Sequence, residues 1–159
     1  MILVALGSNI AGPWGTPHET IARALKELNR FPLRLRRASQ LLITKPFGVV
    51  NQPDFVNAVA SIDTALPPEA LLRKLHRLER AAGRKRGRRW GPRTLDLDLL
   101  DYHGLQHHQK GTVQKALVLP HPGIAERIFV VQPLQEVAPN WKHPTLRKTA
   151  AELARSIRR

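Results

Sequence analysis

The stretch Arg89-Trp90-Gly91-Pro92-Arg93-Thr94-Leu95-Asp96-Leu97-Asp98 decides how this chain folds and what it can bind. Its second half alternates polar and apolar residues, which predicts a β-strand over residues 94–101. Because residues i and i+2 share one face of a strand, Asp96 and Asp98 point the same way, and the leucines beside them point towards the core. The preceding residues 83–93 are cationic and contain glycine, so they predict a loop that brings positive charge close to both carboxylates.

Two carboxylates on one strand face repel each other unless a positive group lies between them. Magnesium is typically held by one or two carboxylates together with substrate phosphates, and guanidinium groups bind phosphate oxygens in pairs. The segment therefore predicts magnesium binding at Asp96 and Asp98 and phosphate binding at the arginines before them. One alternative stays open, in which both aspartates lie on the wet face of an ordinary edge strand, since the same alternation is typical of any half-exposed strand.

The length and charge of the chain limit the classes of protein to which it can belong. At 159 residues it is expected to form a single domain, residues 1–159. There are 26 Lys and Arg residues against 12 Asp and Glu, and the resulting formal charge of +14 attracts nucleotides, nucleic acid and anionic membranes alike. The chain has no cysteine, which excludes disulfides and thiolate metal sites, and no apolar run has the length of a signal core or a membrane span. We therefore expect a cytoplasmic protein.

Hydrophobic periodicity and capping residues predict the elements before residue 102. Strands are expected over residues 2–6, 33–44, 54–64 and 94–101, and helices over 16–29 and 67–82. The first helix begins with a capping box, Thr16 and Glu19, and the second ends at Gly83. The order β-α-β-β-α-β predicts an α+β fold of the ferredoxin-like type, an antiparallel sheet with helices packed on it. Beyond it we expect a hairpin loop that contains His103, His107 and His108, a short strand at 116–119, and helices over 133–138 and 149–157.

The signature stretch, together with Arg84-x-Arg86 before it, resembles the family of 6-hydroxymethyl-7,8-dihydropterin pyrophosphokinases, which act in folate biosynthesis. The resemblance extends from Gly7 to about Phe129. It implies transfer of the diphosphoryl group of ATP to the hydroxymethyl oxygen of the pterin, with release of AMP. It also implies ATP as co-substrate and two Mg²⁺ ions held by Asp96 and Asp98. Because the 83–93 segment is strongly cationic and contains glycines, we expect it to close over bound ATP.

A second segment, Thr44-Lys45-Pro46-Phe47-Gly48 followed by Gln52-Pro53-Asp54-Phe55-Val56-Asn57, resembles the pterin-binding part of the same family. By this resemblance the ring pocket is formed by Gly7, Thr44, Phe47, Phe55, Asn57, Trp90 and Phe129. A flat heterocycle suits aromatic faces and an amide that fixes its orientation. An asparagine within an apolar strand is poorly explained by packing, whereas the aromatic residues alone would be interpreted as core.

The resemblance also implies an ATP site and a catalytic set. The ATP site comprises Glu79, Arg84, Arg86, Trp90, Arg93, His121 and Arg127, and the catalytic set comprises Arg84, Arg93, Asp96 and Asp98. Leu119-Pro120-His121-Pro122 resembles the Pro-His motif of the family, although on the residues alone His121 fits a loop histidine without chemistry. Glu79 fits equally well as an ion partner of a neighbouring arginine.

Two other function classes are open from the residues. The first is a nucleic-acid-binding module, since small sheets of this topology bind RNA and the charge is strongly positive, but the aromatic RNP pattern is absent and the two aspartates would repel phosphate. The second is a different two-carboxylate nucleotidyl enzyme, which the pterin-like segment disfavours. No P-loop is present. We expect the small-molecule partners ATP and pterin, no specific nucleic acid, no membrane, and a monomer.

Overall fold

Helices and antiparallel strands alternate along the chain in the computed structural model, which describes residues 1–46, 51–85, 92–108 and 117–157. The strands in these ranges are β1 (Ile2–Ser8), β2 (Leu33–Ala38), β3 (Leu42–Thr44), β4 (Phe55–Thr64), β5 (Asp96–Tyr102), β6 (His107–His108) and β7 (Val118–Leu119). The helices are α1 (Pro17–Glu27), α2 (Pro68–Ala81), a 3-10 turn (Ile124–Glu126), α3 (Ile128–Val137) and α4 (Ala150–Ile157). No helix in the described part of the chain is both long and apolar enough to cross a lipid bilayer.

The main sheet places β1 at its centre. Its strand order is β2-β4-β1-β5, β3 pairs with β4 beyond the end of β2, and every pairing is antiparallel. All residues of β1 are buried, as expected of a central strand. This order is the ferredoxin-like arrangement, so the predicted α+β fold is confirmed.

Hydrophobic layers cover both faces of this sheet. On one face α1 packs against β1 and β4, and α2 packs against β5, so that Ile21 and Leu75 share one hydrophobic core with Leu95, Leu97 and Leu99. On the other face α3 packs against β4 and α4 packs on α3, in a core that includes Leu3, Val59 and Leu100. The leucines beside the two aspartates therefore face the α1–α2 core, and the aspartates face the α3 side.

The predicted strand over residues 33–44 is wrong, because it consists of β2 and β3. Leu42 follows Ala38 by four positions, but their partners Ala60 and Asn57 on β4 are only three positions apart. The extra residue lies within residues 39–41, between the two strands. The main chain of Ser39 donates to the Val59 carbonyl, and its hydroxyl accepts from the Val59 N–H, both at 2.9 Å. A bulge of this kind has no signature in the hydrophobic pattern.

The predicted start of a helix at residue 133 is also wrong. Helix α3 begins at Ile128, with Arg127 as its N-cap, and Pro133 lies inside it. Proline removes one backbone donor from a helix, but here Val130, Val131 and Leu134 are buried around it and stabilise the helix by packing. The earlier start matters for function because it places Arg127 and Phe129 at the first turn of α3.

The remaining helix ends agree with those predicted from the sequence. Thr16 and Glu19 form the predicted capping box, with hydrogen bonds of 3.2 and 3.1 Å. Helix α2 ends before Gly83, which has a φ of +91°. The expected C-terminal helix is α4. A hairpin is present as β6 paired with β7, but His107 and His108, which were expected in its loop, form strand β6 instead. Ala116, part of the predicted strand, lies outside the described residues.

Candidate active site

A cavity of about 270 Å³ opens on the α3 side of the sheet. The residues that sequence reasoning assigned to a site and that line it are Gly7, Thr44, Phe55, Asn57, Arg84, Arg93, Asp96, Asp98, His121, Arg127 and Phe129. They come from parts of the chain that are far apart in sequence. Three further assigned residues, Phe47, Arg86 and Trp90, lie outside the described residues.

The floor of the cavity is one row of residues across three strands. Gly7 on β1 lies opposite Asn57 on β4 and opposite Asp96 on β5. Neighbouring strands are about 4.8 Å apart, so the row brings an amide and a carboxylate to within roughly 10 Å of each other. Because Gly7 has no side chain, the floor between Asn57 and Asp96 is formed by main chain alone.

The two aspartates face positive groups inside the cavity. The Asp96 carboxylate accepts a 2.7 Å hydrogen bond from Arg84, and Asp98 lies 3.8 Å from the Nε2 atom of His121 and 3.9 Å from Arg127. Their side chains are 26% and 14% exposed. Among the described strands, β5 is at the edge of the sheet, as the alternative interpretation required. Its two aspartates, however, line a cavity instead of an open solvent-exposed face.

Arg84 joins two carboxylates. Its guanidinium pairs with Asp96 and with Glu79, and the same Glu79 oxygen accepts the Leu97 N–H at 2.8 Å. Burial alone would lower the pKa of Arg84, but the charges of Asp96 and Glu79 raise it above its ordinary value. Glu79 is 5% exposed and does not line the cavity, but it contacts Arg84, which does.

His121 is held in one orientation by the loop that precedes α3. Its main-chain N–H donates to the Leu100 carbonyl at 2.8 Å, which docks the loop on β5. Its Nδ1 atom accepts the N–H of Gly123 at 3.0 Å. Because an accepting nitrogen carries no proton, the neutral ring has its proton on Nε2, which faces Asp98. The side chain therefore offers a hydrogen-bond donor to the cavity.

The opposite side of the cavity suits a flat polar ring. Asn57 is 5% exposed, and its amide nitrogen donates to the Thr44 hydroxyl at 2.7 Å and to the Leu42 carbonyl at 3.3 Å. These bonds turn the amide oxygen towards Gly7, where it is available as an acceptor. The aromatic rings of Phe55 and Phe129 line the same cavity.

Two residues near the cavity were missed by sequence reasoning. Lys45 lines it and adds a cation, and its position inside the pterin-like segment is a signal that could have found it. Asn9 is buried behind the cavity and makes hydrogen bonds to residues in both flanking segments. Its only local signal is its place directly after a buried strand.

The carboxylates fit magnesium in combination with a nucleotide. Within residues 1–46, 51–85, 92–108 and 117–157, no group of three or more His, Cys, Asp or Glu could hold a metal by itself. Asp96 and Asp98 supply the one or two carboxylates that Mg²⁺ usually takes from a protein when phosphates provide other ligands. The surrounding arginines suit those phosphates.

Comparison with known proteins gives a consistent result. Residues 3–139 match the 7,8-dihydro-6-hydroxymethylpterin-pyrophosphokinase (HPPK) family. Three similar proteins carry the name 2-amino-4-hydroxy-6-hydroxymethyldihydropteridine pyrophosphokinase. The one from Pseudomonas aeruginosa is 44% identical over 90% of this chain and 83% of its own length. The protein from Haemophilus influenzae is 44% identical over 85% and 79%, and that from Aquifex aeolicus 36% identical over 95% and 88%.

Proposed function

The chain belongs to the 7,8-dihydro-6-hydroxymethylpterin-pyrophosphokinase family, and on this premise we propose that the cavity between α3 and the sheet is where its two substrates meet. The chain transfers the diphosphoryl group of ATP to the hydroxymethyl oxygen of 6-hydroxymethyl-7,8-dihydropterin, a step of folate synthesis. The hydroxymethyl oxygen attacks the β-phosphorus. The bond from that phosphorus to the α,β-bridging oxygen breaks, AMP leaves with the oxygen, and the hydroxyl proton is released.

The row Asn57–Gly7–Asp96 is the observation that carries the proposal. An amide that can fix a ring lies at one end of the row, and a carboxylate that can hold metal-bound phosphate lies at the other. The separation of roughly 10 Å suits a bicyclic ring with one carbon attached. A pterin whose far edge contacts Asn57 would then present its hydroxyl beside Asp96, close to the transferring phosphate.

The cations of the cavity bind and neutralise the triphosphate. Arg84 and Arg93 stabilise charge on the transferring and leaving phosphates, and Arg127 and the Nε2–H of His121 contact phosphate oxygens. The raised pKa of Arg84 keeps this group charged at every physiological pH. We also assign Arg86 and Trp90 to ATP binding, as the resemblance implies.

Asp96 and Asp98 hold Mg²⁺, and we assign two ions to them. When bound with ATP, the ions would neutralise phosphate charge and lower the pKa of the substrate hydroxyl. Arg84 keeps the Asp96 carboxylate in place before nucleotide arrives. Glu79 fixes Arg84 in turn, and its direct contact with ATP stays a prediction.

On the pterin side, Phe55 and Phe129 enclose the ring, with Phe47 and Trp90 assigned by the resemblance. The Asn57 oxygen accepts from the ring, since the Asn57 nitrogen is already bonded to Thr44. Gly7 leaves space for the ring. We also propose that the protein works as a monomer with one catalytic domain, in the cytoplasm where ATP is abundant.

The proposal is tested with ATP labelled at the α- or the γ-phosphate. The wild-type enzyme should yield AMP with the α label and pterin diphosphate with the γ label. Asp96→Asn and Asn57→Ala should each lower the rate by on the order of 10²-fold or more. Asp63→Asn is the control, because Asp63 is an exposed β4 carboxylate paired with Arg36. Labelled ADP, or AMP release without pterin, would contradict the reaction. Full activity in both site variants would contradict the site.

A further inference from the structure

Asn9 fixes the main chain of Arg93. It follows directly after β1 and is 2% exposed. Its amide oxygen accepts the Arg93 N–H at 2.8 Å, and its own main-chain N–H donates to the Arg93 carbonyl at 3.0 Å. Two hydrogen bonds therefore hold the residue whose guanidinium lines the cavity.

The other end of the same side chain holds the pterin-side segment. The Asn9 amide nitrogen donates to the Gln52 side-chain oxygen at 2.8 Å and to the Pro53 carbonyl at 2.9 Å. Pro53 lies two residues before Phe55, at the point where the chain enters β4. One buried amide thus uses its acceptor on one flank of the cavity and both donors on the other flank.

The turn that contains Asn9 also packs against the end of α2. A Cβ atom on Gly12 would lie 2.9 Å from the Ala82 carbonyl oxygen, so the two backbones are in close contact. A Cβ atom on Gly83 would lie 2.5 Å from Pro13. Arg84 follows Gly83 directly, so the turn after β1 is a common support for Arg84 and Arg93.

We propose that Asn9 is a positioning residue of the transfer reaction, which sets the distance between the phosphate-binding Arg93 and the pterin-side segment at Gln52 and Pro53. This inference rests on the proposed function. Asn9 does not line the cavity among the described residues, so it acts through its partners. Transfer requires the hydroxyl and the phosphorus to be aligned, and a misplacement of about 1 Å can lower a rate by on the order of 10²-fold.

Asparagine is the residue that this position needs. Aspartate keeps the acceptor for Arg93 but places a second oxygen against the Gln52 and Pro53 oxygens, where a donor is required. Leucine has a similar volume but removes the side-chain hydrogen bonds to both flanks and keeps only the main-chain bond to the Arg93 carbonyl. The two substitutions therefore separate the Arg93 contact from the pterin-side contacts.

The test measures kcat and the KM values for ATP and pterin. Asn9→Leu should lower kcat by on the order of 10²-fold, with a smaller change in either KM. Asn9→Asp should retain more of kcat than Asn9→Leu. The matched control is Asn29→Ala, because Asn29 also anchors a backbone N–H, that of Leu35 at 3.0 Å, but lies away from the cavity. It should lower Tm and leave kcat unchanged.

A second variant covers the case in which Asn9→Leu does not fold. Gln52→Met removes one acceptor of the Asn9 amide and should lower kcat by a smaller factor. In a foldable Asn9→Leu background its effect on kcat should be smaller than in the wild-type background. The positioning role is overturned, and the proposed function stands, if wild-type enzyme releases AMP and Asn9→Leu keeps the wild-type kcat. Where Asn9→Leu does not fold, a wild-type kcat in Gln52→Met has the same meaning. If wild-type enzyme releases no AMP, the proposed function itself fails.

Discussion

The Arg84 guanidinium donates a 2.7 Å hydrogen bond to the carboxylate of Asp96. It also pairs with the buried Glu79, which anchors it to β5 through the Leu97 N–H. The cation that we propose binds phosphate and the carboxylate that we propose binds metal are thus in contact with each other in the described structure. Because the pair is ordered in advance, less reorganisation is needed when nucleotide and metal bind.

Replacing Arg84 with lysine tests whether the shape of this cation matters. An ammonium group cannot bridge Glu79 and Asp96 and bind a phosphate in the manner of a planar guanidinium. We expect Arg84→Lys to lower kcat/KM for ATP by about 10²–10³-fold. Arg80→Lys, an exposed change near the end of α2, is the control in the AMP-release assay. Equal activity of the two variants would show that charge alone suffices.

Gly7→Ala tests whether the space above β1 belongs to the ring. The added methyl would lie 3.4 Å from the Asn57 oxygen and 3.7 Å from a Phe55 ring carbon, which are ordinary contacts. Stability should therefore be unchanged, or higher by up to about 1 kcal/mol. The KM for pterin should rise about 10-fold or more, since the methyl occupies the ring space. Binding of an ATP analogue alone is the internal control. An unchanged pterin KM would place the ring elsewhere.

Substitutions of His121 test its role as a donor to phosphate. Glutamine can present an N–H near the position of the imidazole Nε2, whereas alanine cannot. His121→Ala should raise the Kd of the ATP complex by about 10-fold, and His121→Gln should retain most of the wild-type affinity. Isothermal titration with a non-hydrolysable ATP analogue measures the difference. If alanine and glutamine weaken binding equally, donation from Nε2 has no role.

His143 makes the stability of the fold depend on pH. Burial lowers the pKa of His143, and the charge of Asp101 opposes the shift without cancelling it. The unfolded chain then takes up a proton below pH about 6.5 that the folded chain does not, so stability should fall as the pH decreases through this value. Protonation of Nδ1 would also remove its hydrogen bonds from the Thr145 and Leu146 N–H groups.

Urea unfolding between about pH 5 and 8 measures this effect. His143→Asn keeps an acceptor for the two N–H groups and should flatten the profile below pH about 6.5. His18→Gln is the control because His18 is exposed, and it should leave the profile unchanged. A wild-type profile that His143→Asn does not alter would contradict the assignment.

The elements that sequence reasoning found are those with a local pattern. Asp96 and Asp98 were placed on one face because strand periodicity depends only on neighbouring residues. Asn57 stood out because it interrupts an apolar strand. The helix faces and the Thr16 capping box follow from the same kind of local rule, and the structure confirms them.

The features that were missed depend on distant partners. Asn9 bonds to Gln52, 43 residues away, and to Arg93, 84 residues away, so its own neighbourhood gives little sign of its role. The break at Ser39 follows from the register of β4 rather than from its own sequence. The start of α3 was predicted at residue 133, whereas the helix begins at Ile128 and burial of Val130 and Leu134 stabilises it around the proline.

The most direct test of the account is a crystal structure of the protein with Mn²⁺, a non-hydrolysable ATP analogue and the hydroxymethyl pterin. We predict anomalous peaks about 2.1 Å from carboxylate oxygens of Asp96 and Asp98, with the triphosphate against Arg84 and the ring beside Asn57. Metal and phosphate bound away from both aspartates would contradict the account, and so would a ring outside the space above Gly7.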